Sequence, residues 1–215
     1  MQDEMLLISL NDKTGKYHGG YWRYALNGAA LAELLLSQRI ELRAGKVEVK
    51  STVPVGDEAL DVALCRIAMA RRALTLQAWV RVLYRDRKLP FEVLTTRLIR
   101  QGILSVDEAR MLWVFRQTVY PTRNPVPEQQ VIQRVRDAMC DGAEVAERTA
   151  ILIALLQSCR AVGFVLSKTE VKQSRKAIER LCKSSPVGEA IAKALSATLA
   201  EDETAMICAT IVASS

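Results

Sequence analysis

The chain has 215 residues, half of them hydrophobic, with 30 Lys and Arg against 24 Asp and Glu. That length suits one domain with a sizeable core, residues 1–215 together. A single histidine, His18, excludes a His-rich metal centre or a Ser-His-Asp triad, and five scattered cysteines without a CxxC pair argue against zinc.

Cys65, Cys140, Cys159, Cys182 and Cys208 nearly all sit among helix-period apolar residues, which reads as reduced core thiols in a cytoplasmic protein. The acidic N-terminus lacks the pattern of a signal peptide. The most apolar stretch, Thr204 to Ala213, falls short of the ~20 residues that span a bilayer. A protein that meets membranes would therefore do so peripherally.

Met5 to Leu10 is a short apolar run closed by Asn11-Asp12 and Gly15, which predicts a strand and turn. Lys16 to Tyr24 reads as a loop running into a helix. From about Ala25, Leu26, Ala30, Leu31, Leu34 and Leu35 mark one helical face. Arg39 to Leu42 and Val47 to Val49 alternate across Ala44-Gly45, a hairpin pattern. Gly56-Asp57 opens a helix with Asp57 as N-cap and Leu60, Leu64, Ile67 and Ala68 as its apolar face.

Thr75 to Tyr84 and Pro90 to Arg100 predict two more helices, with Gly102 as the C-cap of the second. Met111 to Phe115 and Val119-Tyr120 flank Arg116-Gln117-Thr118 and read as an apolar hairpin, followed by a turn at Pro121 to Pro127. The remainder is helical. Val131, Ile132, Val135 and Met139 form one stripe. Thr149 to Cys159 and Thr204 to Ala213 are apolar nearly all round, which predicts burial. No repeat or linker divides the chain.

Charge is localised. Nine basic residues lie between Arg66 and Arg100, opposed only by Asp86 and Glu92. Arg81, Arg85 and Lys88 fall at i, i+4 and i+7, so a continuing helix would put them on one face. Such a face attracts anions, and Arg adds bidentate pairing to phosphate. It also reads as a solvated surface without a ligand. Leu112, Trp113, Val114 and Phe115 are consecutive, so a strand there shows apolar groups on both sides. That run fits a core strand, an oligomer contact or a membrane wedge. A basic face plus an apolar wedge makes a two-part membrane anchor.

Other chemistry is thin. Asp57 and Asp61 sit at i, i+4 beside Glu58, but a helix cap with a solvent-facing residue explains them more simply than acid–base work. No Walker loop or GxGxxG occurs. Gly20-Tyr21-Trp22-Arg23 could present an aromatic ring and a cation to a ligand, or pack at a helix start. A pI of about 9.2 admits nucleic-acid binding through the 66–100 stretch as an alternative, without a recognisable motif. Nothing calls for a cofactor, and no enzyme is expected.

Three blocks carry a resemblance: Met5-Leu-Leu-Ile-Ser-Leu-Asn-Asp-Lys-Thr-Gly15, Leu26-Asn-Gly-Ala-Ala-Leu-Ala-Glu-Leu-Leu-Leu-Ser-Gln-Arg-Ile-Glu-Leu42, and Val55-Gly-Asp-Glu-Ala-Leu-Asp-Val-Ala-Leu64. In this order and spacing they resemble the Golgi phosphoprotein 3 family of peripheral, phosphoinositide-binding membrane proteins. The compact beginning is similar to bacterial members, without the N-terminal extension that engages coatomer in eukaryotic ones. The resemblance implies a mainly α fold, a helical bundle core ringed by amphipathic helices, with small β-hairpins.

It also implies a headgroup pocket for phosphatidylinositol 4-phosphate, made in the family by a Trp, an Arg within the first helix and two later Arg residues. Here Trp22 lies near the Trp position, Asn27 takes the helix Arg position, and Lys88 and Phe91 take the later two. Combined with the basic face, the expected headgroup site is Trp22, Arg23, Arg81, Arg85, Arg87 and Lys88. The hairpin with Leu112, Trp113, Val114 and Phe115 is expected to meet membrane or another subunit. Expected partners are anionic membrane lipids, client membrane-protein tails and further copies of the chain.

Overall fold

The computed structural model describes residues 1–12, 14–18, 21–85, 89–111, 115–139 and 144–213. Among them the chain is mainly helical. The helices are α1 (Gln2–Ser9), α2 (Trp22–Leu36), α3 (Glu58–Ala68), α4 (Leu76–Arg85), α5 (Leu89–Arg100), α6 (Val126–Asp137), α7 (Glu147–Ser158), α8 (Lys168–Gln173), α9 (Arg175–Cys182) and α10 (Pro186–Ala213). The strands are β1 (Ile40–Arg43), β2 (Lys46–Val49), β3 (Leu74–Thr75), β4 (Asp107–Met111) and β5 (Phe115–Val119). They form an antiparallel β1-β2-β3 sheet and a separate β4-β5 ribbon.

The first apolar run is a helix, not the expected strand. Met5, Leu6, Leu7 and Ile8 are all buried, so the segment has no polar side to reveal its period. Asp3 and Glu4 in its first turn favour the helix dipole, and Ser9 Oγ donates back to the Met5 carbonyl at 2.6 Å. Only Leu10 is strand-like, bridging to Tyr17.

Local signals elsewhere are obeyed. Ala44 and Gly45 both take positive φ, 49° and 74°, the pair a tight two-residue hairpin needs. Asp57 caps α3, accepting from the Ala59 and Leu60 amides. Gly102 turns left-handed at φ 71°, while its amide and that of Ile103 close onto the Ile99 and Leu98 carbonyls. In the β4-β5 ribbon, Met111 pairs with Phe115, so Arg116-Gln117-Thr118 belongs to β5 and not to the turn. A narrow ribbon with Asp107, Glu108 and Thr118 exposed needs no turn to bring polar residues to water.

The core is a layered helical bundle around α2, α7 and α10. Thr149 to Leu156 of α7 are buried without a break. Gly28 sits where the three helices meet: a Cβ there would lie 2.8 Å from Leu195 Cδ1 and 2.9 Å from Leu155 Cδ2. Arg97 of α5 ties the outer helices together, reaching Asp3 and Asp57 at 2.6 Å each.

Helix directions follow from contacts along their lengths. Tyr24 stacks on Tyr84, and the Asn27 amide donates to the Val80 carbonyl, so α2 and α4 are antiparallel. Gly28 faces Ile191 and Leu195, while Tyr24 and Tyr21 donate to Asp202 and Glu203, so α2 and α10 are antiparallel too. The start of α2, the end of α4 and the exit of α10 therefore share one end of the bundle.

Candidate membrane-facing site

An aromatic cluster builds that end. Tyr17 and Trp22 stack with centroids 3.9 Å apart. Phe91, in the first turn of α5, closes on Trp22 at 5.3 Å, on Tyr17 at 5.6 Å and on Tyr120 at 5.7 Å. The Arg23 guanidinium lies 5.1 Å from the Trp22 ring centre. Tyr120 follows β5, so the base of the β4-β5 ribbon belongs to this cluster. Gly15 closes it: its φ is +60°, and a Cβ would lie 2.5 Å from the Tyr120 and Pro121 backbone. Burial raises the Tyr17 phenol, whose hydroxyl has no partner among the described residues.

The predicted site residues are only partly united. Trp22 and Arg23 sit beside Phe91, and Tyr84 brings the last turn of α4 against Tyr24. Arg85 on that turn is exposed. Arg81 is not a free cation. It pairs with Glu201 at 2.6 Å and Asp202 at 3.2 Å on α10. Arg97 likewise faces inward to Asp3 and Asp57. Part of the basic stretch thus neutralises acids of the body. Arg87, Lys88, Leu112, Trp113 and Val114 lie outside the described residues, and Phe115 begins β5.

Asn27 is buried and joined to the α4 backbone, and Phe91 belongs to the aromatic cluster. Two of the three positions that the resemblance would make cationic are therefore packing positions here, and the third, Lys88, lies outside the described residues. Beside Arg81 and Arg85 runs an open groove of about 400 Å³, lined also by Arg72, Thr75, Gln77 and Glu201. It offers guanidinium groups to an anion, with Glu201 as the opposing charge.

Two features escaped sequence reasoning. The first is the acidic run Glu201-Asp202-Glu203. Glu201 accepts from Gln77 and pairs with Arg81; Asp202 takes Tyr24 and Arg81; Glu203 takes Tyr21 at 2.5 Å and pairs with Arg160 at 2.8 Å. These bonds hold the Glu203 carboxyl below its usual range. Three acids just before an apolar stretch were the available signal. The second is Glu128 on α6, buried and facing Asp12. Burial first, then the bond to Asp12, pushes its carboxyl up to about 8. No spacing rule links residues 12 and 128.

The remaining candidates have structural duties. Asp57 is a cap, and Asp61 accepts from the Val55 and Gly56 amides at 2.6 and 3.2 Å, so neither is free for acid–base work. His18 stacks on Phe164 at 4.7 Å. A nearby cavity of about 210 Å³, lined by Met5, Tyr21, Trp22, Cys159 and Phe164, is apolar. Burial pushes the Cys159 thiol up to about 12, so it carries no thiolate at neutral pH. No helix among the described residues is long and apolar enough to cross a membrane.

The family model described as Golgi phosphoprotein 3 (GPP34) matches residues 1–198, nearly the whole chain. That span takes in the aromatic cluster, the basic stretch and the β4-β5 ribbon, and stops just before the acidic run of α10. The chain belongs to the Golgi phosphoprotein 3 family.

Proposed function

We propose that the chain is a peripheral membrane adaptor of the cytoplasm. It acts by binding, not catalysis, and docks on anionic lipid headgroups. Its basic contacts are Arg23, Arg85, Arg87 and Lys88, with Trp22 beside Arg23 and Arg81 bracing the groove. The apolar run Leu112 to Phe115 supplies the second anchor. Client membrane-protein tails and further copies of the chain are its protein partners.

The observation that carries this reading is the meeting of Trp22 and Arg23 with the end of α4 and the start of α5 at one end of the bundle. With Asn27 and Phe91 used for packing, recognition rests on summed charge more than on a fitted headgroup. Nucleic acid is the weaker reading of the same charges. Trp22 is already covered by Tyr17 and Arg23, so it offers no free face for base stacking.

Vesicle sedimentation tests this. Binding to phosphatidylserine or phosphatidylinositol 4-phosphate vesicles should exceed binding to neutral phosphatidylcholine and weaken with salt. Arg23→Glu with Arg85→Glu should lower it by about tenfold. Equal binding to neutral and anionic vesicles, or tighter binding to DNA at matched salt, would sink the reading.

A further inference from the structure

One carboxylate of the acidic run is held differently from the other two. Asp202 and Glu203 accept from the tyrosines of α2, Tyr24 and Tyr21, and pair with Arg81 and Arg160. Glu201 instead lies across the groove beside α4. Gln77 Nε2 donates to its Oε1 at 2.8 Å, and Arg81 Nη2 meets its Oε2 at 2.6 Å. Gln77 and Arg81 stand four positions apart on α4, so their side chains rise from one face. An amide and a guanidinium thus converge on the two oxygens of a single anion. Arg72 and Arg85 line the same groove, and both are exposed.

We infer that Gln77 and Arg81 form an anion subsite, that Glu201 fills it in the resting chain, and that the phosphate of a phosphomonoester lipid displaces Glu201. This rests on the membrane-adaptor reading and deepens it with a subsite, a class of headgroup and the side chain that closes the site.

Glu201 can leave at little cost. Its side chain is 56% exposed, so rotation about its own bonds carries the carboxylate into water while α10 stays in place. Exposed ion pairs hold weakly, because water and salt screen them. Arg81 keeps a neutralising acid when Glu201 goes, since Asp202 remains at 3.2 Å. Asp202 does not follow, because the Tyr24 hydroxyl donates to it from α2. Charge selects the incoming group. A carboxylate brings one negative charge and two oxygens. A phosphomonoester brings a charge of about −1.5 to −2 and three acceptor oxygens. Arg72 and Arg85 add cations for that surplus, and guanidinium groups pair with phosphate through two parallel bonds. Arg85 carries the groove to the last turn of α4, the end of the bundle where Trp22 and Arg23 sit, which favours a lipid as the source of the phosphate.

The test sediments phosphatidylcholine vesicles carrying phosphatidic acid, whose headgroup is a phosphomonoester, or phosphatidylserine at equal charge. Wild type, Glu201→Gln and Glu203→Gln are compared at high salt, which screens charges that do not touch the ligand. Both variants lose the same charge, but Glu203 faces Tyr21 and Arg160 and not the groove. Glu201→Gln should bind phosphatidic acid vesicles about fivefold more tightly than wild type, and Glu203→Gln within about twofold of it. Adding Gln77→Ala to Glu201→Gln should remove about threefold of the gain. No gain from Glu201→Gln, or equal gains from both glutamine variants, would overturn the subsite and leave the adaptor reading standing. An equal gain on phosphatidylserine would overturn the choice of a phosphomonoester. Wild-type binding to anionic vesicles no better than to neutral ones would end both proposals. Tighter binding of Glu201→Gln to glycerol 3-phosphate in solution than to phosphatidic acid vesicles would assign the groove to a soluble phosphate and overturn the lipid occupant.

Discussion

In sequence, α7 and the end of α10 look alike: both are apolar nearly all round and both ask for burial. Their described parts differ, the side chains of residues 206–213 lying outside the described residues. In α7, Thr149 to Leu156 are enclosed by the neighbouring helices. In α10, Thr204 and Ala205 open the apolar stretch and are exposed. All-round apolarity thus does not by itself fix burial. At the turn that precedes the apolar stretch of α10 the contacts are polar: Glu201, Asp202 and Glu203 are held by tyrosine and arginine.

The sharpest way to break the contrast is to change an apolar side chain in each. Leu152→Ala removes a fully buried group from the centre of α7 and should cost about 2–5 kcal/mol in denaturant unfolding. Ala205→Ser, at the exposed start of the apolar stretch of α10, should stay within about 0.5 kcal/mol of wild type. A comparable loss from both would mean that the difference in exposure does not decide stability.

Glu128 is the converse exception, a carboxyl inside where an apolar group would be expected. Unfolded, it loses its proton near the ordinary 4.5; folded, it keeps the proton to about 8, donating to Asp12. Between those values the native state binds the extra proton, so this group's contribution to stability falls as pH rises through the window. Glu128→Gln retains an N–H donor toward Asp12 and cannot ionise. It should flatten that slope in thermal melts and gain about 1–3 kcal/mol over wild type above the window, with little difference at acidic pH. An unchanged slope would mean that Glu128 is ionised in the native protein.

What could be read beforehand was local. The Asp57 cap, the Ala44-Gly45 hairpin and the Gly102 stop each encode their geometry within a few residues. The mainly helical class followed from apolar periodicity, and the three blocks pointed to the family whose model matches the chain. The misses have physical causes. Met5 to Leu10 is buried on every side, so it shows no period from which helix and strand could be told apart. Arg81 and Arg97 looked like surface charge because their acidic partners are remote in sequence: Asp202 is 121 positions away and Asp3 is 94. The aromatic cluster joins Tyr17, Trp22, Phe91 and Tyr120 from four segments, and only the packed bundle brings them together.

The smallest expected effect lies at the boundary between the two regimes. The Tyr24 ring is buried and stacks on Tyr84 at 4.2 Å, while its hydroxyl donates to Asp202. Tyr24→Phe keeps the stack and deletes the bond. Asp202 retains Arg81 and partial contact with water, so no carboxylate is stranded. The cost should be about 1 kcal/mol, a fall of roughly 2–4 °C in Tm for a chain of this size. Its distribution matters more than its size. If the clamp holds this turn of α10 to the bundle, amides from Ala200 to Ala205 should exchange about fivefold faster while those of α7 stay as slow as before. A uniform acceleration across both helices would show that Tyr24 supports the core as a whole, and that the acidic run is not a local clamp.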